Sequence, residues 1–201
     1  MILAVICVVG CVGILFLRGR MQKGVPLYPL RETEAGETVY FRQQDDRWAQ
    51  DRLGTARDTM ASSGCLVCAL AAGLDMQAAR LGLDFYMTAG ELNEALGEAS
   101  AYTDSGAVIW GSIPAAVSGT ESYVADSVKA EEIDAFLEQG IFPVVKVRVN
   151  GVGAWHWVLI TGTDADGYLC MDPMAEEETP VSLSAFQDRV YSVRAVYFTG
   201  Q

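Results

Sequence analysis

The segment Ala61–Leu70 reads ASSGCLVCAL, in which small residues lead into a Gly-Cys pair and an apolar run follows. This pattern predicts a loop that enters a buried helix over residues 64–73, with Ser62 or Ser63 as its N-cap. Cys65 would then lie in the first helical turn, where the positive end of the helix dipole and unpaired N–H groups favour the thiolate. The thiolate is the nucleophilic form of cysteine, and a catalytic thiolate also needs a base, a group that orients the base and an oxyanion donor.

The composition excludes several classes of protein. The chain has 201 residues, of which 51% are hydrophobic, enough to build a sizeable core and too many for a disordered chain. The formal net charge of -12 argues against a nucleic-acid partner, because phosphate contacts need clustered Lys and Arg. Three of the five cysteines, Cys65, Cys68 and Cys170, fall in the globular part, and an odd number argues against a complete disulfide framework.

The N-terminal residues predict a membrane anchor. Residues 2–17 contain no charged side chain. As a helix they would span about 24 Å, and two flanking arginines can extend this toward the roughly 30 Å hydrocarbon core. We therefore expect one transmembrane helix, or an uncleaved signal, over residues 1–20. A linker over residues 21–37 and a globular domain over residues 38–201 would follow.

The order of the predicted elements gives an α+β fold, with helices in the first part of the domain and an antiparallel sheet in the second. The Asn150-Gly151 pair between two apolar runs is a strong hairpin signal. The predicted helices cover residues 64–73, 88–96 (capped by Thr88) and 130–139 (closed by Gly140). The predicted strands cover residues 39–41, 107–110, 144–149, 155–161, 168–171 and 191–198, and a short helix is expected at 182–187. We expect the helices to pack on one face of this sheet.

His156 and Asp172 are predicted to face each other across a hairpin. His156 is the one histidine of the chain and stands early in a strand, where a side chain can face a cleft. A turn centred near residue 164 places Asp172 opposite His156, and cross-strand partners lie about 5 Å apart. A carboxylate there can accept the Nδ1–H of the imidazole and fix its tautomer, as the third member of a catalytic triad does. Each residue alone is a weak signal, because a lone histidine is as often a core residue and Asp-Pro is a common turn opener.

A glutamine upstream of Trp48 is the candidate oxyanion donor, because a side-chain amide can donate a hydrogen bond to a developing oxyanion. By position, either Gln43 or Gln44 qualifies. A glutamine in isolation is more often a surface residue, so this assignment depends on the other motifs.

Four motifs then follow one another in a familiar order. Residues 43–48 read QQDDRW, which fits a Gln-x-Asp-x-x-Trp start, and a Gly-Cys pair precedes the helix at Cys65. Next come His156 on its strand and the Asp172-Pro173 pair. Over roughly residues 38–200 this series resembles the C39-like branch of the papain-fold cysteine peptidases.

The resemblance implies a papain-like fold and hydrolysis of a peptide or amide bond in a peptide or protein substrate. It assigns Gln43 to the oxyanion hole, Cys65 to the nucleophile, His156 to the general base and Asp172 to the orientation of the base. It implies no cofactor and no metal, and we expect a monomer. Many members continue Gly-Cys-Gly-Pro, whereas this chain continues Gly-Cys-Leu-Val. The sequence contains no Walker A pattern, so we expect a stand-alone domain without the transporter and ATPase of the bacteriocin-processing members.

Two other functions compete with hydrolysis at the level of sequence. Cys65 and Cys68 have the C-x-x-C spacing of a dithiol redox site, although no βαβ pattern precedes them. A non-catalytic domain that uses the cleft for binding is the other alternative. A zinc site formed by Cys65, Cys68, Cys170 and His156 ranks below these, because the second pair lacks zinc-ribbon spacing. The sequence also leaves two alternatives for the side of the membrane on which the globular domain lies. The resemblance favours the extracellular side, and the basic residues after the span favour the cytoplasm.

Overall fold

The computed structural model describes residues 24–199, in which a long helix lies against a six-stranded antiparallel sheet. The strand order is β2-β8-β3-β4-β5-β6, and β1 pairs separately with β7. The strands are β1 Val25–Pro26, β2 Thr120–Val124, β3 Val144–Arg148, β4 Trp155–Asp164, β5 Gly167–Met171, β6 Val181–Ser182, β7 Arg189–Val190 and β8 Ser192–Phe198. The helices are α1 Met60–Ser63, α2 Cys65–Leu81, α3 Ala89–Glu98, α4 Ile113–Ala116 and α5 Ala130–Glu138, and short 3-10 turns occur at Trp110–Ser112, Val149–Gly151 and Leu183–Phe186.

Helix α2 forms the centre of the core because it packs against β4 and β8. Of its 17 residues, 13 are buried, so the helix is enclosed on nearly all sides. Its sequence is rich in alanine, and the small side chains let the helix approach the sheet closely. The helix that begins at Cys65 is therefore fixed in place by the rest of the domain.

The predicted helices are present, with corrections at the first of them. The helix at Cys65 continues to Leu81 rather than ending at residue 73. Its N-cap is Gly64, so the prediction of Ser62 or Ser63 is wrong. Both serines belong to the short helix α1, which has its own N-cap at Thr59. Thr88 caps α3 as predicted, since its hydroxyl accepts a hydrogen bond from the Glu91 N–H.

The predicted antiparallel hairpins of the C-terminal half are confirmed. Strands β3 and β4 flank the turn at Asn150-Gly151, and β4 and β5 flank the turn at residues 165–166. The predicted strands at residues 39–41 and 107–110 are wrong. Residues 39–41 have no regular structure, and the second segment makes one isolated bridge, from Val108 to Tyr102. The sheet gains β2 instead, which pairs with β8 along its whole length.

Residues 24–37, which the sequence analysis assigned to a linker, contact the domain at several points. Strand β1 pairs with β7, and the Leu27 side chain is buried. Farther along, the Leu30 N–H donates a hydrogen bond of 2.9 Å to the Asp134 carboxylate. This part of the chain is therefore packed against the domain.

The predicted transmembrane helix at residues 1–20 lies outside the described residues. Within residues 24–199, no helix combines the length and the apolar character that a membrane span requires.

Candidate active site

A surface cleft of about 410 Å³ lies where several parts of the chain meet. They include the segment that leads to Trp48, α1, the start of α2, the β3–β4 hairpin and the loop after β5. Gln43, Cys65 and His156 line the cleft, and Asp172 is hydrogen-bonded to His156. The structure thus brings together all four residues that the sequence analysis selected.

Cleft size alone does not identify this site. A larger concavity of about 630 Å³ lies near the end of α2, where Leu81, Phe85 and Phe198 line it. It contains no cysteine or histidine, and Asp84 is the one ionisable side chain that lines it. The cleft at Cys65 is distinguished by its chemistry.

Cys65 is the first residue of α2, and Gly64 makes its position possible. A Cβ atom on Gly64 would lie 2.5 Å from the carbonyl oxygen of Met60 and 2.8 Å from its sulfur, so only glycine fits between α1 and α2. No side chain caps the start of α2, which leaves the first-turn N–H groups available to a ligand. The Cys65 side chain is 8% exposed and borders the cleft. A thiolate here would face the positive end of a long helix.

His156 contacts both Cys65 and Asp172. Its Nε2 lies 2.6 Å from Asp172 Oδ1. The ring also makes a hydrogen bond to Cys65, and Nδ1 is the ring nitrogen left for this contact. Burial by itself lowers the pKa of His156, but the hydrogen bonds and negative charges of Asp172 and Cys65 outweigh burial and raise that pKa from 6.5 to about 9. The environment of His156 therefore favours its protonated form beside Asp172.

Asp172 is held in place by the turn that follows β5. Its Oδ1 accepts a hydrogen bond of 2.8 Å from the Met174 N–H, as in an Asx turn. The expected contact with the imidazole is present, but at the opposite ring nitrogen: Asp172 meets Nε2, not the predicted Nδ1. The predicted register is also two residues off. Leu159 pairs with Met171, so continuing the ladder places Asp172 diagonally from His156, a separation that side chains of this size can bridge.

Gln43, rather than Gln44, points into the protein. Gln43 is 4% exposed and Gln44 is exposed. The Nε2 of Gln43 donates a hydrogen bond of 2.8 Å to the carbonyl of Ala61, just before the Cys65 helix, and its backbone N–H bonds to the carbonyl of Pro173. A side-chain amide carries two N–H donors, so one remains to meet a ligand in the cleft. Among the described residues, its Oε1 has no hydrogen-bond partner.

The other two cysteines lack the features of Cys65. Cys68 and Cys170 are fully buried, and burial raises the pKa of each thiol well above its ordinary value. Cys65, Cys68 and Cys170 are all free thiols. Among residues 24–199, no cluster of three or more His, Cys, Asp and Glu side chains has the geometry to hold a metal ion. These observations favour a packing role for Cys68 over a redox one.

One residue of the cleft was missed from the sequence. Lys146 on β3 lines the cleft beside Trp155 and Trp157. The alternation of Lys146 and Arg148 with buried valines along β3 was the available signal, because alternate residues of a strand face the same side. Trp155 and Trp157 line the cleft, whereas Glu176–Glu178 are exposed and do not line it.

Comparison with solved structures adds to this geometry. The fold is similar to that in a crystal structure of a provisionally named C39-like peptidase from Bacillus anthracis, with a TM-score of 0.55 and 11% sequence identity. The match covers 85% of this chain and 98% of that chain. No family model matches the sequence, and no curated protein matches it either. At this identity the comparison confirms the predicted C39-like fold and nothing finer.

Proposed function

We propose that this protein is a thiol hydrolase that cleaves a peptide or amide bond, with Cys65 as its nucleophile. The observation that supports this most strongly is the contact chain from Cys65 through His156 to Asp172 at the edge of a cleft. A thiol at a helix start, a histidine and a carboxylate in this order are the parts of an activated cysteine nucleophile. The C39-like fold supports the same class of reaction.

In the proposed reaction the Cys65 thiolate attacks the substrate carbonyl carbon and forms a tetrahedral intermediate. The free N–H of Gln43 and the backbone N–H of Cys65 stabilise the oxyanion. The His156 imidazolium then gives its proton to the leaving amine, and a thioester to Cys65 remains. Water, deprotonated by His156, attacks the thioester, releases the carboxylic acid product and regenerates the thiolate–imidazolium pair.

The positions of the groups fit these roles. Asp172 keeps the imidazole oriented and stabilises its positive charge, because its own carboxylate is fixed by the Met174 N–H. The start of α2 has no side-chain cap, so first-turn N–H groups are available in the turn that holds Cys65. The hydrogen bond from Gln43 to Ala61 fixes its amide next to the Cys65 helix.

An activated ester tests this proposal without knowledge of the natural substrate. We expect p-nitrophenyl acetate to transfer one acetyl group to Cys65, detected by mass spectrometry, and water then to remove it. The Cys65→Ala variant should show no acetylation in the cleft, and His156→Ala should lose both rapid acylation and deacylation. Equal reaction of wild type and His156→Ala would contradict the proposal, and a Cys65–Cys68 disulfide after mild oxidation would favour the dithiol alternative.

A further inference from the structure

The cleft beside Cys65 has a positively charged wall in an acidic protein. Lys146 lines the cleft, and apart from His156 it is the one charged side chain that does so. No Asp or Glu is among the lining residues, although the chain carries a formal net charge of -12. The cleft therefore differs in sign from the average surface of the protein.

Aromatic rings, rather than a carboxylate, hold the Lys146 ammonium group. Its Nζ lies 4.6 Å from the centroid of the Trp155 ring and 5.9 Å from that of Trp157, both within cation–π range. No ion pair found within residues 24–199 includes Lys146. The two rings position the ammonium group at the cleft, where a negative charge on Cys65 acts to raise the pKa of Lys146.

Two arginines lie near Lys146 on the same face of the sheet, although neither lines the cleft. Cross-strand pairing places Lys146 opposite Trp157 and Arg148 opposite Trp155, and the Arg194 guanidinium lies 5.5 Å from the Trp157 ring. Burial, together with the charges of Arg194 and Arg148, lowers the pKa of Lys146. An anion bound at Lys146 would reduce the repulsion that its ammonium group experiences from Arg194 and Arg148.

We propose that the cleft binds a substrate carboxylate at Lys146, so that the substrate is a peptide with an acidic group near the bond that Cys65 attacks. The group is either an acidic side chain or the C-terminal carboxylate of the peptide, because both present the same two oxygens to an ammonium group. The inference rests on the proposed thiol hydrolase function. It adds a specificity-determining residue to that function, since an overall acidic protein otherwise repels acidic peptides.

Two alkylating reagents that differ by one carboxylate test this directly. Iodoacetate and iodoacetamide attack the same sulfur, so the ratio of their rate constants at Cys65 cancels any change in thiolate reactivity. We expect Lys146→Gln to lower the iodoacetate-to-iodoacetamide ratio by about threefold to fivefold, the range of a partly exposed ion pair. Added salt should lower the ratio in the wild-type protein and have a smaller effect in the variant.

Matched variants separate the local charge from the net charge. Lys129→Gln removes the other lysine of residues 24–199, which is exposed and does not line the cleft, and should leave the ratio at its wild-type value. Lys146→Arg keeps the charge and should restore most of the ratio. If wild type and Lys146→Gln give the same ratio at low salt, Lys146 does not bind a carboxylate. Should Lys146→Gln fail to fold, Lys146→Met, which keeps an aliphatic stem against the two tryptophans, gives the same comparison.

Short peptides identify the source of the carboxylate. The probes are acetyl-Ala-Glu-Ala-amide, acetyl-Ala-Gln-Ala with a free C-terminus, and acetyl-Ala-Gln-Ala-amide as the neutral control, each used to slow alkylation of Cys65 by iodoacetamide. Stronger protection by the first peptide indicates an acidic side chain, and stronger protection by the second indicates a C-terminal carboxylate. Equal protection by all three would overturn the proposal. So would loss of binding to anionic vesicles in Lys146→Gln without any change in protection, because that result assigns the cation to lipid headgroups.

These outcomes are separable from those of the proposed function. If Cys65 reacts as an ordinary thiol, at the same rate with and without His156, the proposed hydrolase function is wrong. A reagent ratio that depends on Lys146 would still identify a carboxylate-binding cleft in that case. If Cys65 is activated and the iodoacetate-to-iodoacetamide ratio does not change in Lys146→Gln, the proposed hydrolase function is retained and the carboxylate proposal is wrong.

Discussion

The same Asp172 oxygen that lies 2.6 Å from His156 Nε2 also accepts the backbone N–H of Met174 at 2.8 Å. The turn that follows Asp172 therefore holds its carboxylate in position, independently of the contact with the imidazole. This arrangement orients His156 although the two residues are not directly paired across the strands. It explains why the predicted contact between Asp172 and His156 is present even though the predicted β4–β5 register is two residues off.

Replacing Asp172 by Asn should lower the pKa of His156. The hydrogen bond and charge of Asp172 help to raise that pKa to about 9, and an amide keeps the shape but removes the charge. Because His156 is the one histidine of the chain, an NMR titration of the imidazole carbon resonances reports it without ambiguity. Asp84→Asn removes an equal charge from an exposed position and should leave the titration unchanged. An unaltered midpoint in Asp172→Asn would contradict the orienting role.

The raised pKa of His156 also predicts how stability depends on pH. The unfolded chain releases the imidazole proton near 6.5 and the folded protein near 9, so protonated His156 stabilises the fold fully below 6.5. That contribution is lost as the pH rises through 9. The free energy of unfolding in urea should thus fall more between these values for wild type than for His156→Gln. Parallel pH profiles for the two proteins would show that the imidazolium is not stabilised in the fold.

Much of this site followed from the sequence because its signals are local. A glycine and a cysteine ahead of an apolar run predicted the start of α2, and Asn150-Gly151 predicted the β3–β4 hairpin. The general base was assigned to His156 because the chain has no other histidine. These features depend on neighbours along the chain, which a sequence displays directly.

The errors came from features that depend on distant parts of the chain. Strand β2 (TESYV) has no clear apolar alternation and forms because β8 offers it a partner. The irregularity between Ile160 and Gly162 changes the β4–β5 register, and the glycine within the strand is its only local signal. The choice of Nε2 for Asp172 depends on the direction from which the carboxylate approaches the ring. Lys146 was missed because its significance arises from the tryptophans and Cys65 beside it in space.

Replacing Gln43 by Ala should slow acylation of Cys65 by p-nitrophenyl acetate, by up to about 100-fold if the amide donates to the oxyanion. Rates of p-nitrophenolate release measure this effect. Gln44→Ala, at the exposed neighbouring position, is the matched control and should remain close to wild type. Equal rates for the two variants would remove Gln43 from the oxyanion hole.

Replacing Gly64 by Ala should both destabilise the protein and reduce the reactivity of Cys65. The added methyl group would collide with the Met60 backbone and push the start of α2 away from the cleft, at a cost of about 1–3 kcal/mol. Gly97 provides the contrast, because it lies within α3 and a Cβ there meets no atom within 4 Å. Gly97→Ala should therefore stabilise the protein by about 0.5–1 kcal/mol. Urea unfolding and alkylation rates of both variants test the pair, and a fully stable, fully reactive Gly64→Ala would refute the steric argument.

Alkylation of Cys65 by iodoacetamide across pH, in wild type and in His156→Ala, tests the central claim most directly. A thiolate stabilised by the imidazolium predicts rapid alkylation already near neutral pH, and this reactivity should disappear in His156→Ala. The contrary result is a rate that rises only around pH 8.5, as for a free thiol, and that is the same in both proteins. In that case Cys65 is not an activated nucleophile, and the protein is not a thiol hydrolase.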